Sequence, residues 1–373
     1  MSGLLEKGET MARTSFGIWF RNSYMTAVRS YHAMKIWASA KKRLKIIGGG
    51  YKGTKEEFEK VKEFWEPFGI KPNKLWYHLY CDGQGGFDPR YIPDTMWDSK
   101  ILRYFNNLNW SGAYADKCAY DLLFPDLNRP RTIAKNSCGR YYDGNLHVVS
   151  REEAMELCLK EDSFIIKKAT FSTHGDSIRV FHKEEITRDN IQTLFDDYDK
   201  NFVVQEVVQQ HPYLEGLNAS SLNTLRIITF FFREQCHVLS AQLRIGVKGA
   251  FIDNYSSGGF ACSVKDDGTL NERAVSKAKG WAYEHPNGFA FKDIKVPFFE
   301  DVVNVAKQEH EKIPHLNIIG WDFAVGKDGR PIFIEMNAIP GQNQNGSGPT
   351  FGDLTEEVLR DVFVEKTLEG AFD

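Results

Sequence analysis

The sequence has no arrangement of cysteines that would bind zinc or form a redox pair. Six cysteines occur in 373 residues, and none forms a Cys-x-x-Cys pair. We therefore expect reduced, mostly buried thiols in a cytoplasmic protein. The first ten residues carry two glutamates and no apolar run, so no secretory signal is visible. The densest apolar stretch, Ile227 to Phe232, is far shorter than the roughly 20 residues of a membrane helix, and we expect no membrane span.

A strong excess of either charge is also missing. The chain has 47 Lys and Arg against 50 Asp and Glu, which gives a formal charge of −3. This balance does not fit a protein that binds nucleic acid over its whole surface. Hydrophobic residues make up 42% and aromatic residues 13%, which is enough for a substantial core, and the length predicts two or three domains.

The N-terminal segment is the exception to this balance, because acidic residues are missing from Thr10 to Lys55 while ten basic residues occur there. Five apolar residues recur at helical spacing: Phe16, Phe20, Tyr24, Val28 and Tyr31. A basic amphipathic helix can lie on an anionic membrane surface. The commoner arrangement is a helix packed on its own protein with a solvated basic face. Both interpretations stay open.

The rest of the chain has a mixed α/β pattern. Capping boxes at Thr54 and Ser150 predict helix starts, and Asp116 is expected to cap a further helix. Helices are also expected over 97–108, 188–197, 302–312 and 355–366. Apolar runs predict strands over 75–80, 164–168, 178–182, 202–208, 225–232, 238–247, 318–325 and 332–336.

Two carboxylates face each other across a predicted hairpin. Asp328-Gly329 is a strong turn signal between two apolar runs, and a two-residue turn would place Asp322 opposite Glu335. Asn337 would then lie on the same face. Opposed carboxylates among apolar residues need a cation or a shared proton, and such oxygen ligands suit Mg²⁺. The alternative is neutralisation by a nearby Arg or Lys.

A strand ending in Lys167 and Lys168 precedes a loop rich in hydroxyl side chains, which includes Ser172 and Thr173. Such a loop can hold phosphates with N–H and O–H groups, although a plain turn has the same composition. The spacing of a P-loop is missing. Ser-His-Asp and Cys-His arrangements for a protein nucleophile are missing as well.

Taken together, these features resemble the ATP-grasp superfamily. The spacing from Asp322 to Glu335 and Asn337 resembles its magnesium-binding hairpin, and Lys167 with its loop resembles its lid. Val203 to Val208 resembles the strand that holds adenine. Further segments are similar to the sugar-transfer-associated ATP-grasp family in particular: Asp88 to Pro93, Ala115 to Lys117, Ser221 to Arg226, Asp253 to Gly259 and Gly320 to Asp322.

The resemblance implies an α/β ATP-grasp fold in which two α/β subdomains grip ATP. The implied boundaries are a basic helical segment at 1–53, a small α/β region at 54–115, a lid subdomain at 116–208 and a large subdomain with the metal hairpin at 209–373. The implied cofactors are ATP and Mg²⁺.

The family roles transfer to individual residues in this sequence. Asp322, Glu335 and Asn337 would hold magnesium, and Arg226 and Arg244 would act on the transferring phosphate. The nucleotide would contact Lys117, Lys167, Ser172, Thr173, Gln205, Glu206, Val208 and Asn254.

The implied activity is ATP-dependent ligation of a carboxylate to an amine through an acylphosphate. The family name points to an amino acid joined to an amino sugar or polysaccharide precursor. A kinase on the same fold and a nucleotide-binding regulator without turnover remain alternatives. The expected partners are small molecules, with no nucleic acid. The basic segment adds the alternative of peripheral contact at the inner membrane surface, and the sequence does not indicate an oligomeric state.

Overall fold

The computed structural model describes residues 30–83, 85–170, 178–247, 249, 258–368 and 371. Four members of the predicted apolar stripe, from Phe16 to Val28, lie outside these residues, and the fifth, Tyr31, lies within them. Within the described part of the chain, no helix is both long and apolar enough to cross a bilayer.

The region before the first sheet is helical. Its helices are α1 (30–46), α2 (Lys55–Trp65), α3 (Lys74–Tyr80), α4 (Asp94–Met96), α5 (Leu102–Phe105), α6 (Ser111–Ala115) and α7 (Tyr120–Leu123). A π-helical turn (Trp97–Ile101) joins α4 to α5, and a 3₁₀ turn (Lys117–Ala119) precedes α7. The capping box at Thr54 and the Asp116 cap are both present. The helix expected over 97–108 ends at Phe105.

The strand predicted over 75–80 is wrong, because this segment forms α3. The Asn73 side chain accepts a hydrogen bond from the Leu75 N–H and so caps the helix. Trp76, Tyr77 and Tyr80 are all buried from this helix. Their spacing of one, three and four suits a helix face that packs into a core, and an apolar run of this length does not by itself distinguish helix from strand.

Helix α1 packs one face on the protein and leaves the other in solvent. Ala40 is fully buried, while Trp37 and Leu44 pack against the core formed with α2 and α3. On the opposite face Tyr31 is 54% exposed and Met34 is 60% exposed. For the described part of the basic segment, packing on the protein is therefore observed, and an exposed face remains beside it.

A six-stranded antiparallel sheet follows, in the order β3-β2-β1-β6-β4-β5. Its elements are β1 (Thr132–Ser137), β2 (Arg140–Asp143), β3 (Val148–Val149), α8 (Arg151–Leu159), β4 (Ser163–Lys168), β5 (Ile178–His182), α9 (Arg188–Tyr198) and β6 (Phe202–Gln205). Helices α8 and α9 cover one face through an apolar cluster. The strand predicted over 202–208 ends at Gln205.

The second sheet has seven strands, in the order β11-β10-β9-β8-β7-β14-β15. Its region contains α10 (Pro212–Leu217), β7 (Thr224–Phe232), β8 (Gln235–Ile245), β9 (Phe260–Ser263), β10 (Ala274–Ser276), β11 (Gly280–Ala282), β12 (Glu284–His285), β13 (Phe289–Ala290), α11 (Phe299–His310), β14 (Ile318–Val325), β15 (Pro331–Asn337), α12 (Gln344–Ser347) and α13 (Thr355–Arg360). Helix α11 covers one face, and the N-terminal helices cover part of the other. The helix expected over 302–312 begins earlier, at Phe299.

The hairpin of β14 and β15 has the expected pairing of Asp322 with Glu335 but not the expected turn. The Gly326 N–H donates to the Arg330 carbonyl at 2.9 Å, so the loop has three residues instead of two. Gly329 has a φ of 83°, which glycine adopts without strain. A register shift between Asp322 and Phe323 then restores the predicted pairing.

The two sheets fall inside the predicted subdomains. The first spans residues 132–205 and the second spans residues 224–337, which lie within the segments 116–208 and 209–373. The domain boundaries themselves stay predictions.

Candidate active site

Asp322 lies in a row of paired residues that crosses three strands. It is opposite Glu335 on β15 and opposite Arg226 on β7. Arg226 donates from Nη2 to Asp322 Oδ2 at 2.5 Å and from Nε to Oδ1. Arg244 on β8 brings its Nη1 to 3.5 Å from Asp322 Oδ1. Two guanidinium groups therefore surround this buried carboxylate.

The charge state of Asp322 follows from this environment. Burial by itself would raise the pKa of the carboxyl, but the positive charges of Arg226 and Arg244 outweigh burial and lower the pKa below its ordinary value. Asp322 is therefore ionised near neutral pH.

Glu335 meets a lysine that comes from a distant part of the chain. Lys117 begins the 3₁₀ turn capped by Asp116, and its Nζ lies 3.4 Å from Glu335 Oε2. The Lys117 side chain is only 7% exposed, whereas that of Glu335 is 32% exposed. Glu335 is thus the carboxylate of the pair that remains accessible to an incoming ion.

Lys167 lies in the same electrostatic environment as Lys117 and Glu335. It is on β4 and only 8% exposed. Burial and the neighbouring ammonium of Lys117 together lower its pKa to about 8, although the carboxylate of Glu335 acts in the opposite direction. The structure thus brings the predicted phosphate lysines from the first sheet region to the carboxylate hairpin of the second.

The carboxylates already have positively charged neighbours in this arrangement. From the sequence, two ways of neutralising the carboxylates were open: a magnesium ion, or a nearby Arg or Lys. Asp322 is paired with Arg226 and Arg244, and Glu335 with Lys117. The protein side chains therefore neutralise the pair without a metal, and a cation would have to share these carboxylates with them.

The donor set nevertheless fits magnesium. Asn337 is on the same strand as Glu335, two residues away, and its buried Nδ2 has no hydrogen-bond partner. Since amide oxygen and nitrogen exchange by a simple flip, Asn337 is free to turn an oxygen to a cation. One or two carboxylates, supplemented by phosphate and water, are what Mg²⁺ usually takes. Among the described residues no cluster of three or more His, Cys, Asp or Glu side chains forms an all-protein metal cage.

The end of β6 has an unfilled hydrogen-bonding position. The Gln205 side chain donates from Nε2 to the Pro130 carbonyl at 3.3 Å, but its buried Oε1 has no partner. Beyond the strand, the Glu206 N–H donates to the Arg131 carbonyl at 3.0 Å. In the part of the chain that the structure describes, the Glu206 carbonyl and the Val208 N–H make no backbone hydrogen bond. A buried acceptor without a donor is costly, so Gln205 is suited to a ligand N–H.

A cleft of about 370 Å³ lies beside these groups. Its walls are residues 128–130 and 206–209, which flank the first sheet in the chain, together with the hairpin residues 326–328, 330 and 332.

Three predicted site residues cannot be compared with this geometry, because Ser172, Thr173 and Asn254 lie outside the described residues. Two residues that sequence reasoning missed, Tyr120 and Lys135, belong to the same region. The Tyr120 hydroxyl accepts a hydrogen bond at 3.2 Å from the N–H of Met336, which lies between two predicted metal ligands. Lys135 is buried beside the segment that carries Lys117. Neither residue stands in a motif, and only the packing of the two sheets identifies them.

Comparison with known proteins gives one family match. The family model described as "Sugar-transfer associated ATP-grasp" matches residues 104–348, which is more than half of the chain. No curated protein matches.

Solved structures with similar folds are distant in sequence. D-alanyl-alanine synthetase A from Vibrio cholerae is 13% identical, with a TM-score of 0.40, over 71% of this chain and 67% of that one. The ATP-grasp ligase PsnB, complexed with a phosphomimetic variant of minimal precursor, Mg and ADP, is 14% identical with a TM-score of 0.41, over 69% and 61%. An L-amino acid ligase from Bacillus licheniformis is 13% identical with a TM-score of 0.38, over 72% and 52%.

Proposed function

The chain belongs to the sugar-transfer associated ATP-grasp family, and on this premise we propose that it joins a carboxylate to an amine with consumption of ATP. The fold is the α/β ATP-grasp fold, and ATP and Mg²⁺ are the cofactors of the family. The observation that carries the proposal is the convergence of two lysines, two arginines and the hairpin carboxylates where the two sheets meet.

The proposed reaction has two steps. A substrate carboxylate oxygen attacks the γ-phosphorus of ATP, so that an O–P bond forms and the bond to ADP breaks. The amine nitrogen then attacks the acylphosphate carbonyl, the C–N bond forms, and inorganic phosphate leaves with the loss of one amine proton. Magnesium, when bound, would offset negative charge on the phosphate oxygens. Most of the catalysis is then positioning and charge neutralisation.

The chain's own side chains have distinct parts in this proposal. Lys167 and Lys117 would hold the phosphates of ATP, and Asp322, Glu335 and Asn337 would hold the cation. Arg226 is engaged with both oxygens of Asp322. A cation on Asp322 would compete with this pair and free the guanidinium of Arg226 to turn, with Arg244, to the transferring phosphate.

The unfilled groups at the end of β6 support adenine binding. Gln205 Oε1 would accept from the adenine amino group, while the Glu206 carbonyl and the Val208 N–H would complete the contact. Ser172, Thr173 and Asn254 are proposed nucleotide contacts on the family resemblance.

The family description points to sugar transfer, so we propose an amino acid as the carboxylate and an amino sugar or polysaccharide precursor as the amine. The test is incubation with ATP, Mg²⁺ and pooled amino acids, with and without amino sugars. We expect ADP and a condensed product, which the Glu335→Gln variant should not form. ADP with a stable phosphorylated product would identify a kinase, and nucleotide binding without ADP would identify a regulator.

We also propose a cytoplasmic enzyme that contacts the anionic inner membrane surface through the outer face of α1. Four exposed lysines are on this face, with no acidic residue in the helix: Lys35, Lys41, Lys42 and Lys45. Exposed Tyr31 and Met34 lie at its N-terminal end. Each lysine near an anionic leaflet contributes about 1 kcal/mol, and the exposed apolar side chains would add burial in the interface.

A further inference from the structure

Lys135 is a buried lysine that none of the proposed steps uses. It is on β1 and only 3% exposed. Its ammonium donates to the Asp121 carboxylate at 2.8 Å and to the Cys118 carbonyl at 2.7 Å. A buried ammonium is costly unless it is paired and hydrogen-bonded. Lys135 meets this condition through two partners in the same short stretch of chain.

That stretch, residues 116–123, touches both sheets, and we call it the connecting segment. On the side of the first sheet, the Lys117 N–H donates to the Ala169 carbonyl at 3.1 Å, directly beyond β4. The Cys118 thiol lies 3.5 Å from the carbonyls of Asn136 and Phe202. The connecting segment is therefore attached to three strands of the first sheet.

On the side of the second sheet, the connecting segment reaches the hairpin. Lys117 forms its ion pair with Glu335, and the Tyr120 hydroxyl accepts the N–H of Met336. The two contacts lie on consecutive residues of β15. Any shift of the connecting segment therefore moves Lys117 relative to Glu335.

Lys135 is a charged group that attaches the connecting segment to β1. Its two acceptors, Cys118 and Asp121, are one and four residues after Lys117, so Lys135 holds the connecting segment at two points three residues apart. Arg129 also donates to Asp121, at 3.1 Å from Nε, but Arg129 lies outside the sheet. The Thr132 hydroxyl of β1 donates weakly to Asp121 Oδ1, at 3.5 Å. Lys135 is thus the charged partner of Asp121 that comes from a strand of the first sheet.

We infer that Lys135 is a positioning residue that acts through Lys117. It holds the connecting segment against the first sheet and so sets the Lys117 ammonium against Glu335 and the nucleotide phosphates. This inference rests on the proposed function, because it takes Lys117 to be a contact of ATP.

A double-mutant cycle tests this inference. In the full-length chain, Lys135→Met should weaken ATP binding about tenfold, because a displaced ammonium loses its charged hydrogen bonds to phosphate. Combined with Lys117→Ala, the same substitution should change ATP binding less than twofold. A merely structural role would instead weaken binding equally in both backgrounds, and that additive result would overturn the inference.

The matched control is Lys183→Met. Like Lys135, Lys183 donates to a backbone carbonyl and pairs with a carboxylate, those of Glu161 at 3.2 Å and Asp162 at 2.9 Å, but these partners are away from the connecting segment and the hairpin. ATP binding should stay unchanged in this variant. If Lys135→Met does not fold, Asp121→Asn removes the same ion pair and should show the same dependence on Lys117.

The two proposals fail in different ways. If Lys117→Ala leaves ATP binding unchanged, the proposed phosphate site is wrong. If Lys117→Ala weakens binding and Lys135→Met does not, only the positioning role is wrong.

Discussion

Arg226 and Asp322 lie directly opposite each other on neighbouring antiparallel strands, and the guanidinium of Arg226 engages both oxygens of the carboxylate. The residue assigned to the phosphate is thus paired with the residue assigned to the metal. This pair gives the site a defined state before any ligand binds, in which the cationic and anionic groups neutralise one another.

Removing the Asp322 charge should affect activity and stability together. We expect Asp322→Asn to lower turnover by about 100-fold or more. If only the repulsion between Asp322 and Glu335 mattered, the variant would be more stable than the wild type in the absence of metal. The structure predicts the reverse, because Arg226 and Arg244 would lose their buried counter-charge, and the free energy of unfolding should fall by about 3 kcal/mol. Denaturant unfolding without Mg²⁺ measures this change.

Asp266→Asn is the matched control, since Asp266 belongs to the same sheet region but is exposed at the turn between β9 and β10. Its effect on stability should be within about 0.5 kcal/mol, with turnover unchanged. Unaltered activity in Asp322→Asn would contradict the metal assignment.

The lowered pKa of Lys167 predicts how ATP binding depends on pH. Its pKa is about 8 instead of 10.5, so Lys167 is charged below pH 8 and loses its proton above it. ATP affinity should be constant at lower pH and then fall by up to about tenfold per pH unit. Lys167→Arg stays charged and should flatten the profile, which titration with a non-hydrolysable ATP analogue would show. A wild-type profile that is flat to pH 9.5 would contradict this role.

Lys167→Met should weaken ATP binding and at the same time stabilise the folded chain. Because burial disfavours the charged ammonium, removing it should raise the free energy of unfolding at pH 7 by about 1–3 kcal/mol. The KM for ATP should rise more than the KM for either other substrate, since a lysine on the phosphates contributes mainly ground-state binding. Equal changes in all KM values would place Lys167 away from the nucleotide.

Gln205 should contribute to nucleotide affinity through its unpartnered oxygen. Gln205→Leu removes a buried acceptor that has no partner together with the long hydrogen bond to the Pro130 carbonyl, so stability without ATP should change by less than about 1 kcal/mol. ATP binding should weaken about tenfold through the lost hydrogen bond, as measured by calorimetry. Gln192→Leu changes an exposed glutamine of α9 and is the control. Weakening of similar size in both variants would argue against an adenine contact.

Because His310 is buried, the folded protein should lose stability in mild acid. Its Nε2 donates to the Leu316 carbonyl at 2.9 Å, and its Nδ1 lies 2.6 Å from the Thr229 hydroxyl. Burial lowers its pKa from 6.5 to about 4, whereas the unfolded chain takes up the proton near pH 6.5. The folded state should therefore lose up to about 3 kcal/mol as the pH falls from 6.5 to 4. His310→Gln should reduce this slope in urea titrations, and parallel curves would refute the assignment.

The outer face of α1 should bind anionic vesicles in a salt-dependent manner. Lys41→Glu with Lys42→Glu should weaken partitioning about tenfold or more, because attraction is replaced by repulsion. Lys183→Glu with Lys200→Glu makes the same charge change at exposed sites of the first sheet region and should have little effect. Vesicle sedimentation at low and high salt decides the matter. Equal partitioning of the two variants, or indifference to salt, would leave α1 with its structural role alone.

Much of the local structure was predictable because its causes are local. The capping boxes at Thr54 and Ser150 act within four residues, and each begins a helix in the structure. The pairing of Asp322 with Glu335 was also predicted, although the turn was not. A three-residue loop would have shifted the pairing by one position, and the register shift beside Asp322 corrected it.

Other features depended on what each segment packs against. The apolar run 75–80 is a helix because it supplies aromatic side chains to a core shared with α2, and its residue types alone do not select helix or strand. The segment after Gln205 leaves the sheet, although its sequence continues the apolar pattern.

By itself the sequence determined which residues were available for the site and how they were spaced along each strand. Only the tertiary structure decided that Arg226 pairs with Asp322, that Lys117 meets Glu335 and that Lys135 anchors the connecting segment. Arg226 and Asp322 are 96 residues apart, and strand order and register across a sheet follow from the packing of the whole domain. The pKa values of Lys167 and Asp322 depend on the same packing, because burial and neighbouring charges exist only once the two sheets have come together.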